Sequence, residues 1–354
     1  FAKNTKPVRE AYESLGGIME LIVKPNCDHH PHSLDNPEPI VDFLKRYQPG
    51  YTQQQRIQHR GILNNAFTKF IGQKKGCVAF LGGSITEMNG WRDMIMDDLR
   101  QRFPETEFQF IEAGISSLGS TPHAFRFADD VLRYGTPDLL FVEAAVNDDT
   151  NAFNPDMQIK GMEGIIRHAL YANPLTDIVM LHFIYDPFIA LHEKGIQPDV
   201  IMNHERVANW YGITSINLSE EIASRMRNQE FTWEEFGGTH PAPLGHKYYV
   251  AAINEVFDRT SQFLSQHAPV AAHPLPKALD EKCFDQGKHI SIEEAKQLHG
   301  FHIVPSWNPN DGVATRKQFV NIPMLVADKA GWIKTVDVVV ELLHPPVETC
   351  RMVP

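Results

Sequence analysis

Four residues, each just past or outside an apolar run, have the types that acyl transfer needs. The run Cys77–Leu81 leads into Gly82-Gly83-Ser84-Ile85-Thr86-Glu87. Two glycines permit a tight strand-to-helix turn, and a serine there projects its hydroxyl into a cleft near a helix N-terminus, where developing negative charge is favoured. Taken alone, Ser84 could equally be a plain helix-start residue. A second run ends in Glu112-Ala113-Gly114-Ile115-Ser116-Ser117, where glycine lets a backbone N–H approach a bound oxygen closely. A third ends in Val142-Glu143-Ala144-Ala145-Val146-Asn147-Asp148, placing an amide donor at the corresponding point. Near the end of this region stands Phe236-Gly237-Gly238-Thr239-His240-Pro241. An imidazole held in a Gly/Pro-bounded loop can reach back to the serine as general base. A glycine at a strand exit is usually a turn residue, and an asparagine there usually caps a helix. The set in this order carries the reading.

Such residues need a scaffold that delivers strand ends to one edge. Cys77–Leu81, Phe108–Ala113, Leu139–Ala145, Ile178–Phe183 and Ile213–Asn217 read as short strands. Helical patterns lie between and after them, at Trp91–Phe103, Pro122–Tyr134, Met157–Tyr171, Asn203–Tyr211, Ser219–Arg227 and from about Pro243 to Phe257. Strands apolar on both faces and separated by helices predict a parallel sheet covered on both sides, a three-layer α/β/α sandwich. Ligands of such sheets bind outside the carboxyl ends of the strands, where Ser84, Gly114 and Asn147 fall, and His240 can reach back to that edge from its loop.

Around this domain, expected over 52–265, the pattern weakens. Residues 1–51 hold several prolines and the cluster Cys27, Asp28, His29, His30 and His32. They read as an irregular extension, with the imidazoles in a solvated loop rather than on a metal. Ile57, Ile62, Leu63, Phe67 and Phe70 predict a helix within Thr52–Phe70. The Ala/Pro-rich stretch 266–276 reads as a linker. Residues 277–354, with possible strands at Lys288–Ile292, Phe301–Pro305, Phe319–Ala327 and Val336–Leu343, read as a small β-rich accessory module, too short of strands to close a barrel.

The four blocks resemble the SGNH/GDSL hydrolase superfamily: Ser84 in LGGSITE, Gly114 in AGISS, Asn147 in VEAAVND and His240 in GGTHPAPLGH, all in family order over about residues 60–260. The resemblance implies a flavodoxin-like α/β/α domain and ester hydrolysis through an acyl-enzyme. The N–H groups of Ser84 and Gly114 and the side chain of Asn147 would then donate to the oxyanion. One position departs. The family usually has an Asp three residues before the His, and here Gly237 stands there. Glu235, beside Glu234, could bend back to orient His240, or a backbone carbonyl could fix the tautomer and leave a Ser–His dyad. His246 is an alternative base, although its place in the last helix pattern suits a structural role better.

Glu87, Asn89, Trp91 and Arg92 follow the nucleophile and offer one aromatic surface with several polar groups, a mixture that can cradle a sugar ring. Trp91 can as well be the first core anchor of its helix. Relatives with GGSITE and an appended β module resemble carbohydrate acetylesterases, so the resemblance implies an O-acetyl ester on a carbohydrate. Two other readings use the same residues: a glycoside hydrolase with Glu87 and Glu235 as its carboxyl pair, and a carbohydrate-binding protein without turnover.

Bulk properties narrow the classes. A net charge of -11 gives no basic footprint for nucleic acid and no cationic face for an anionic membrane. It also disfavours polyanionic substrates, unless Arg92 and Arg126 compensate locally. Cys27, Cys77, Cys283 and Cys350 form no C-x-x-C, although one disulfide is possible. No G-x-S-x-G elbow, H-E-x-x-H, Walker loop or G-x-G-x-x-G occurs, so cofactor-free, metal-free catalysis is the simplest reading. With no initiator Met and no apolar run long enough to span a bilayer, the expectation is a secreted or periplasmic protein acting on a small-molecule or oligosaccharide ester.

Overall fold

The computed structural model divides into two compact units, residues 1–56 and 57–354. It describes residues 7–8, 11, 56–264, 270–289, 292–309, 320–334 and 339–342. In the first unit the described residues 7, 8 and 11 are helical. The 27–32 cluster lies outside the described residues, as does Cys350.

The second unit is built on a six-stranded sheet. Its strands are β1 (Ile57–Gln58), β2 (Lys75–Gly82), β3 (Glu107–Gly114), β4 (Leu139–Glu143), β5 (Asp177–Leu181) and β6 (Thr214–Ile216), in the order β1-β6-β5-β4-β2-β3. All pairs are parallel except β1 with β6. The helices are α1 (Asn64–Gln73), α2 (Ser84–Glu87), α3 (Trp91–Arg102), α4 (Ser120–Phe127), α5 (Ala145–Thr150), α6 (Pro155–Ala172), α7 (Asp186–His192), α8 (Asp199–Tyr211), α9 (Leu218–Arg227), α10 (Trp233–Phe236) and α11 (Pro243–Phe263).

Side chains alternate through the sheet, and both faces are dry. Val78 and Phe80 of β2, Leu139 and Phe141 of β4, and Val179 and Leu181 of β5 join the core beneath α1, α3 and α11. Ala79 and Leu81, Leu140 and Val142, and Ile178 and Met180 point the other way, into the core beneath α4, α6 and α8. Burial on both sides is why these strands read as continuous apolar runs. The chain therefore forms the expected three-layer α/β/α sandwich.

The direction of winding reverses at β2, which lies between β3 and β4. The carboxyl ends of β2 and β4 thus flank the switch point, where such sheets open a crevice. Ser84 follows β2 and Asn147 follows β4.

Some expectations are corrected. The helix expected within Thr52–Phe70 begins only at Asn64, because Ile57–Gln58 instead pairs with Ile216 and Ser215 as an edge strand. Residues 271–285, read partly as linker, dock on the α/β layers. Asn65 Nδ2 donates to the Ala271 carbonyl at 2.9 Å, and the amides of Leu279 and Asp280 donate to buried Glu163 at 2.6 and 3.0 Å. Beyond them β7 (Gln297–Trp307), β8 (Ile322–Lys334) and β9 (Val339–Leu342) form an antiparallel sheet in that order. Residues 288–289 carry no strand. Cys77 and Cys283 are free thiols, which burial raises to a pKa of about 11.

Candidate active site

The Ser84 turn follows from what surrounds it. A side chain at Gly82 would collide with the carboxylate of Glu143 and the hydroxyl of Thr86, and one at Gly83 would collide with the amide of Asn147. Only glycines let β2 turn this closely between its neighbours. Ser84 thus heads the single-turn helix α2 with Asn147 packed against the residue before it. Its Oγ lies 2.8 Å from Nε2 of His240, a side chain 156 positions away on the exposed loop before α11. A half-buried hydroxyl at hydrogen-bond distance from an imidazole is the arrangement in which that ring can take the proton.

Gly114 closes the other side. A β-carbon there would come within 2.6 Å of the Glu87 Cα, so glycine is what allows the end of β3 to lie against α2. Ile115 N donates to the Gly82 carbonyl at 2.8 Å, extending the β2–β3 register past the last strand pair. The structure brings Ser84, Gly114, Asn147 and His240 to one edge of the sheet.

The absent family aspartate has a steric cause. Gly237 has φ 104°, and a β-carbon on it would overlap the Ala242 backbone nitrogen, so no side chain fits. The loop is instead held from a different element. Asp186, the first residue of α7, accepts from Trp233 Nε1 at 2.9 Å and from Thr239 Oγ1 at 3.2 Å. Thr239 immediately precedes His240. Nothing in the sequence marks Asp186, which lies 54 positions upstream of His240 with no motif to join them.

Several expected site residues have other work. Glu235 is exposed and accepts from Thr232 N at 2.8 Å in the capping box of α10, so it is committed to its own helix. Glu87 accepts from Ser116 N at 2.8 Å and from the Ser116 hydroxyl, which ties α2 to the loop after Gly114. A glycosidase pair of Glu87 and Glu235 therefore loses both members to structural bonds. Trp91 is 1% exposed, packed among Phe80, Phe141 and Phe183, with its indole N–H on the Ile85 carbonyl. It is a core anchor and presents no face to a sugar. Arg92 is buried, donating to the Thr86 carbonyl and paired with Glu112 at 2.7 Å, and buried Arg126 pairs with Asp130 at 2.7 Å. Neither offers a free cation to a polyanion. Of the four expected ligand contacts, Asn89 alone is exposed. His246 is buried and its Nδ1 accepts from Trp91 N at 3.1 Å, a structural role at the start of α3. Its pKa is lowered by that burial, against the opposing charge of Asp93.

Two acids stand behind the site that no motif announces. Glu143, the last residue of β4, is 2% exposed and accepts from Gly83 N at 2.6 Å and Thr86 Oγ1 at 2.9 Å. Burial raises its pKa to about 7, with the charge of Asp148 adding to the rise and the two donors opposing it. Asp148, beside Asn147, is fully buried and accepts from Ser120 N and Oγ, both at 2.6 Å, and lies 2.9 Å from His204 Nε2. Each is signalled only by a charge at the end of an apolar run.

The site is open. A cavity of about 440 Å³ lined by Arg60, Asp177, Trp210 and His273 contains none of its residues. No group of three or more His, Cys, Asp or Glu side chains placed to hold a metal ion occurs among the described residues.

Residues 80–248 match the model of the GDSL-like Lipase/Acylhydrolase family. No curated protein sequence matches the chain. Among solved structures it is similar to a two-domain esterase (CEX) active on acetylated mannans, with a TM-score of 0.63 and 21% identity over 80% of this chain and 74% of that one. A co-crystal of a CEX esterase with mannopentaose gives a TM-score of 0.61 and 21% identity over 80% and 73%. At that identity the likeness establishes a shared fold. Over residues 80–248 the chain is thus similar to the GDSL-like Lipase/Acylhydrolase family, on a fold that it shares with the CEX esterases.

Proposed function

We propose that this chain removes O-acetyl groups from a carbohydrate by way of an acyl-enzyme on Ser84. The observation that carries the reading is the 2.8 Å approach of His240 Nε2 to Ser84 Oγ, at the edge where Gly114 and Asn147 also stand. His240 takes the hydroxyl proton as Oγ bonds to the acyl carbon. The carbonyl oxygen becomes an oxyanion, held by the N–H groups of Ser84 and Gly114 and by the Asn147 amide. Collapse breaks the bond to the sugar oxygen, which leaves with the proton from His240. Water then gives a proton to His240 and attacks the acyl carbon, and acetate departs as Ser84 regains its hydrogen.

An exposed base beside a half-buried nucleophile suits an acyl group carried on a polymer. The activity of the CEX esterase on acetylated mannans makes acetylated oligosaccharides the first substrates to try. The test is acetate release from p-nitrophenyl acetate and from an acetylated oligosaccharide panel, for the parent chain, Ser84→Ala and His240→Ala. Release that both substitutions abolish supports the reading. Turnover unchanged in Ser84→Ala would defeat it, and tight sugar binding with no ester turned over would mark a binding protein.

A further inference from the structure

We propose that Glu143 is a positioning residue of the hydrolase, fixing the Ser84 turn through a single carboxyl oxygen that acts as a hydrogen-bond acceptor and not as a proton carrier. The inference rests on Ser84 being the nucleophile.

The geometry is specific. Gly83 N and Thr86 Oγ1, on either side of Ser84, both donate to Oε1 of Glu143, at 2.6 and 2.9 Å. Gly83 N–H is the last amide before the nucleophile, and Thr86 is a buried residue of the turn that Ser84 begins. The two bonds therefore hold the serine from both sides, and Glu143 is itself held by β4, paired in register with β5 through Leu181. Gly82 has no side chain because the Glu143 carboxylate and Thr86 hydroxyl occupy that space. Asn147, the side-chain oxyanion donor in the proposed mechanism, lies four residues on, so one strand end places both the serine and the amide.

An acid is a costly choice here, since a buried carboxylate loses its hydration. Both bonds converge on Oε1, so a protonated acid or an amide can still accept the pair through one carbonyl oxygen, although less strongly than the carboxylate. A neutral group behind the oxyanion also adds no repulsion to the charge that develops there. Burial first, opposed by the two donors and helped by the charge of Asp148, raises its pKa to about 7, so the neutral form is populated up to about that pH. The Glu143 charge also opposes ionisation of the buried phenol of Tyr249.

The test compares Glu143→Gln, Glu143→Met and Thr86→Val in the full chain, reading kcat, KM and thermal midpoint on p-nitrophenyl acetate beside Ser84→Ala. Met fills the space without an acceptor and is expected to lower kcat about 100-fold with KM little changed, the scale of a nucleophile displaced by about 1 Å. Gln keeps the acceptor and is expected to recover most of that loss. Thr86→Val removes one donor with little change of shape and is expected to lower kcat alone, and it decides the matter if the Met variant does not fold. Parent-level kcat in Met or Val, or a folded Gln variant as slow as Met, overturns the proposal. An active Ser84→Ala would instead defeat the serine reading on which it rests.

Discussion

At the scale of single residues, Glu143 carries its acid where burial opposes the charge, and the sign of that effect can be followed. Its folded-state pKa of about 7 lies above the ordinary value of 4.5, so the folded chain holds the proton more tightly than the unfolded chain. The residue is neutral toward stability below about pH 4.5. It costs stability as pH rises toward about 7, reaching on the order of 3 kcal/mol. Glu143→Gln has no proton to lose, so its stability relative to the parent chain should grow between about pH 5 and about pH 8. Denaturant midpoints at the two pH values check this, and an unchanged difference would show that Glu143 does not titrate there. Asn147→Ala removes one proposed oxyanion donor and should lower kcat by about 10²–10³ while the fold stays intact. A loss confined to KM would assign Asn147 to substrate binding instead. Ser84, Gly114, Asn147 and His240 are legible because glycines and polar residues that follow apolar runs, in this order, serve little purpose other than a turn or a site. Glu87, Glu235, Trp91 and Arg92 mislead because nearness in sequence does not tell which way a side chain points. Trp91 turns into the core, and Glu235 turns back to its own helix end.

At the scale of elements, the parallel strands and the main helices can be read from alternation and periodicity. The sheet's edge cannot. Ile57–Gln58 is two residues long, and its apolar positions merge into the period of α1 that follows. Short helices such as α7 are equally hidden, and α7 contributes the anchor of the His240 loop. Since Gly237 leaves no room for an acid, Asp186 supplies the restraint from outside, through Trp233 and Thr239. Asp186→Ala should free the loop and lower kcat by roughly tenfold, in keeping with the cost of misplacing a catalytic group. Asp186→Asn, which retains one acceptor oxygen, should lose less. Because these contacts are exposed, the thermal midpoint should hardly move. Equal activity in all three chains would show that the loop needs no anchor on α7.

Considered as a whole, the α/β layers are belted by the segment 271–285, which runs from the end of the Ala/Pro-rich stretch expected as a linker into the start of the expected accessory module. Its attachment is polar and lies far along the chain from its partners. Glu163 on α6 accepts from the amides of Leu279 and Asp280 and from the hydroxyl of Tyr211, while Arg167 pairs with Asp285 at 2.9 Å. Composition reports local backbone preference and says nothing about such distant partners. Glu163→Ala leaves those amides without their acceptor and should destabilise the chain by roughly 2–3 kcal/mol. Limited proteolysis should then cut within 270–289 before it cuts the α/β layers. Cleavage elsewhere first, with no loss of stability, would mean that the belt is held by other contacts.

The central claim is that Ser84 carries the acyl group. Treating the full chain with a fluorophosphonate ester and mapping the adduct by peptide mass spectrometry tests it most directly. A single phosphonyl group on the Ser84 peptide, absent in Ser84→Ala and slow to form in His240→Ala, is the predicted result. An adduct on another residue, or none in a chain that still turns over esters, would contradict the account.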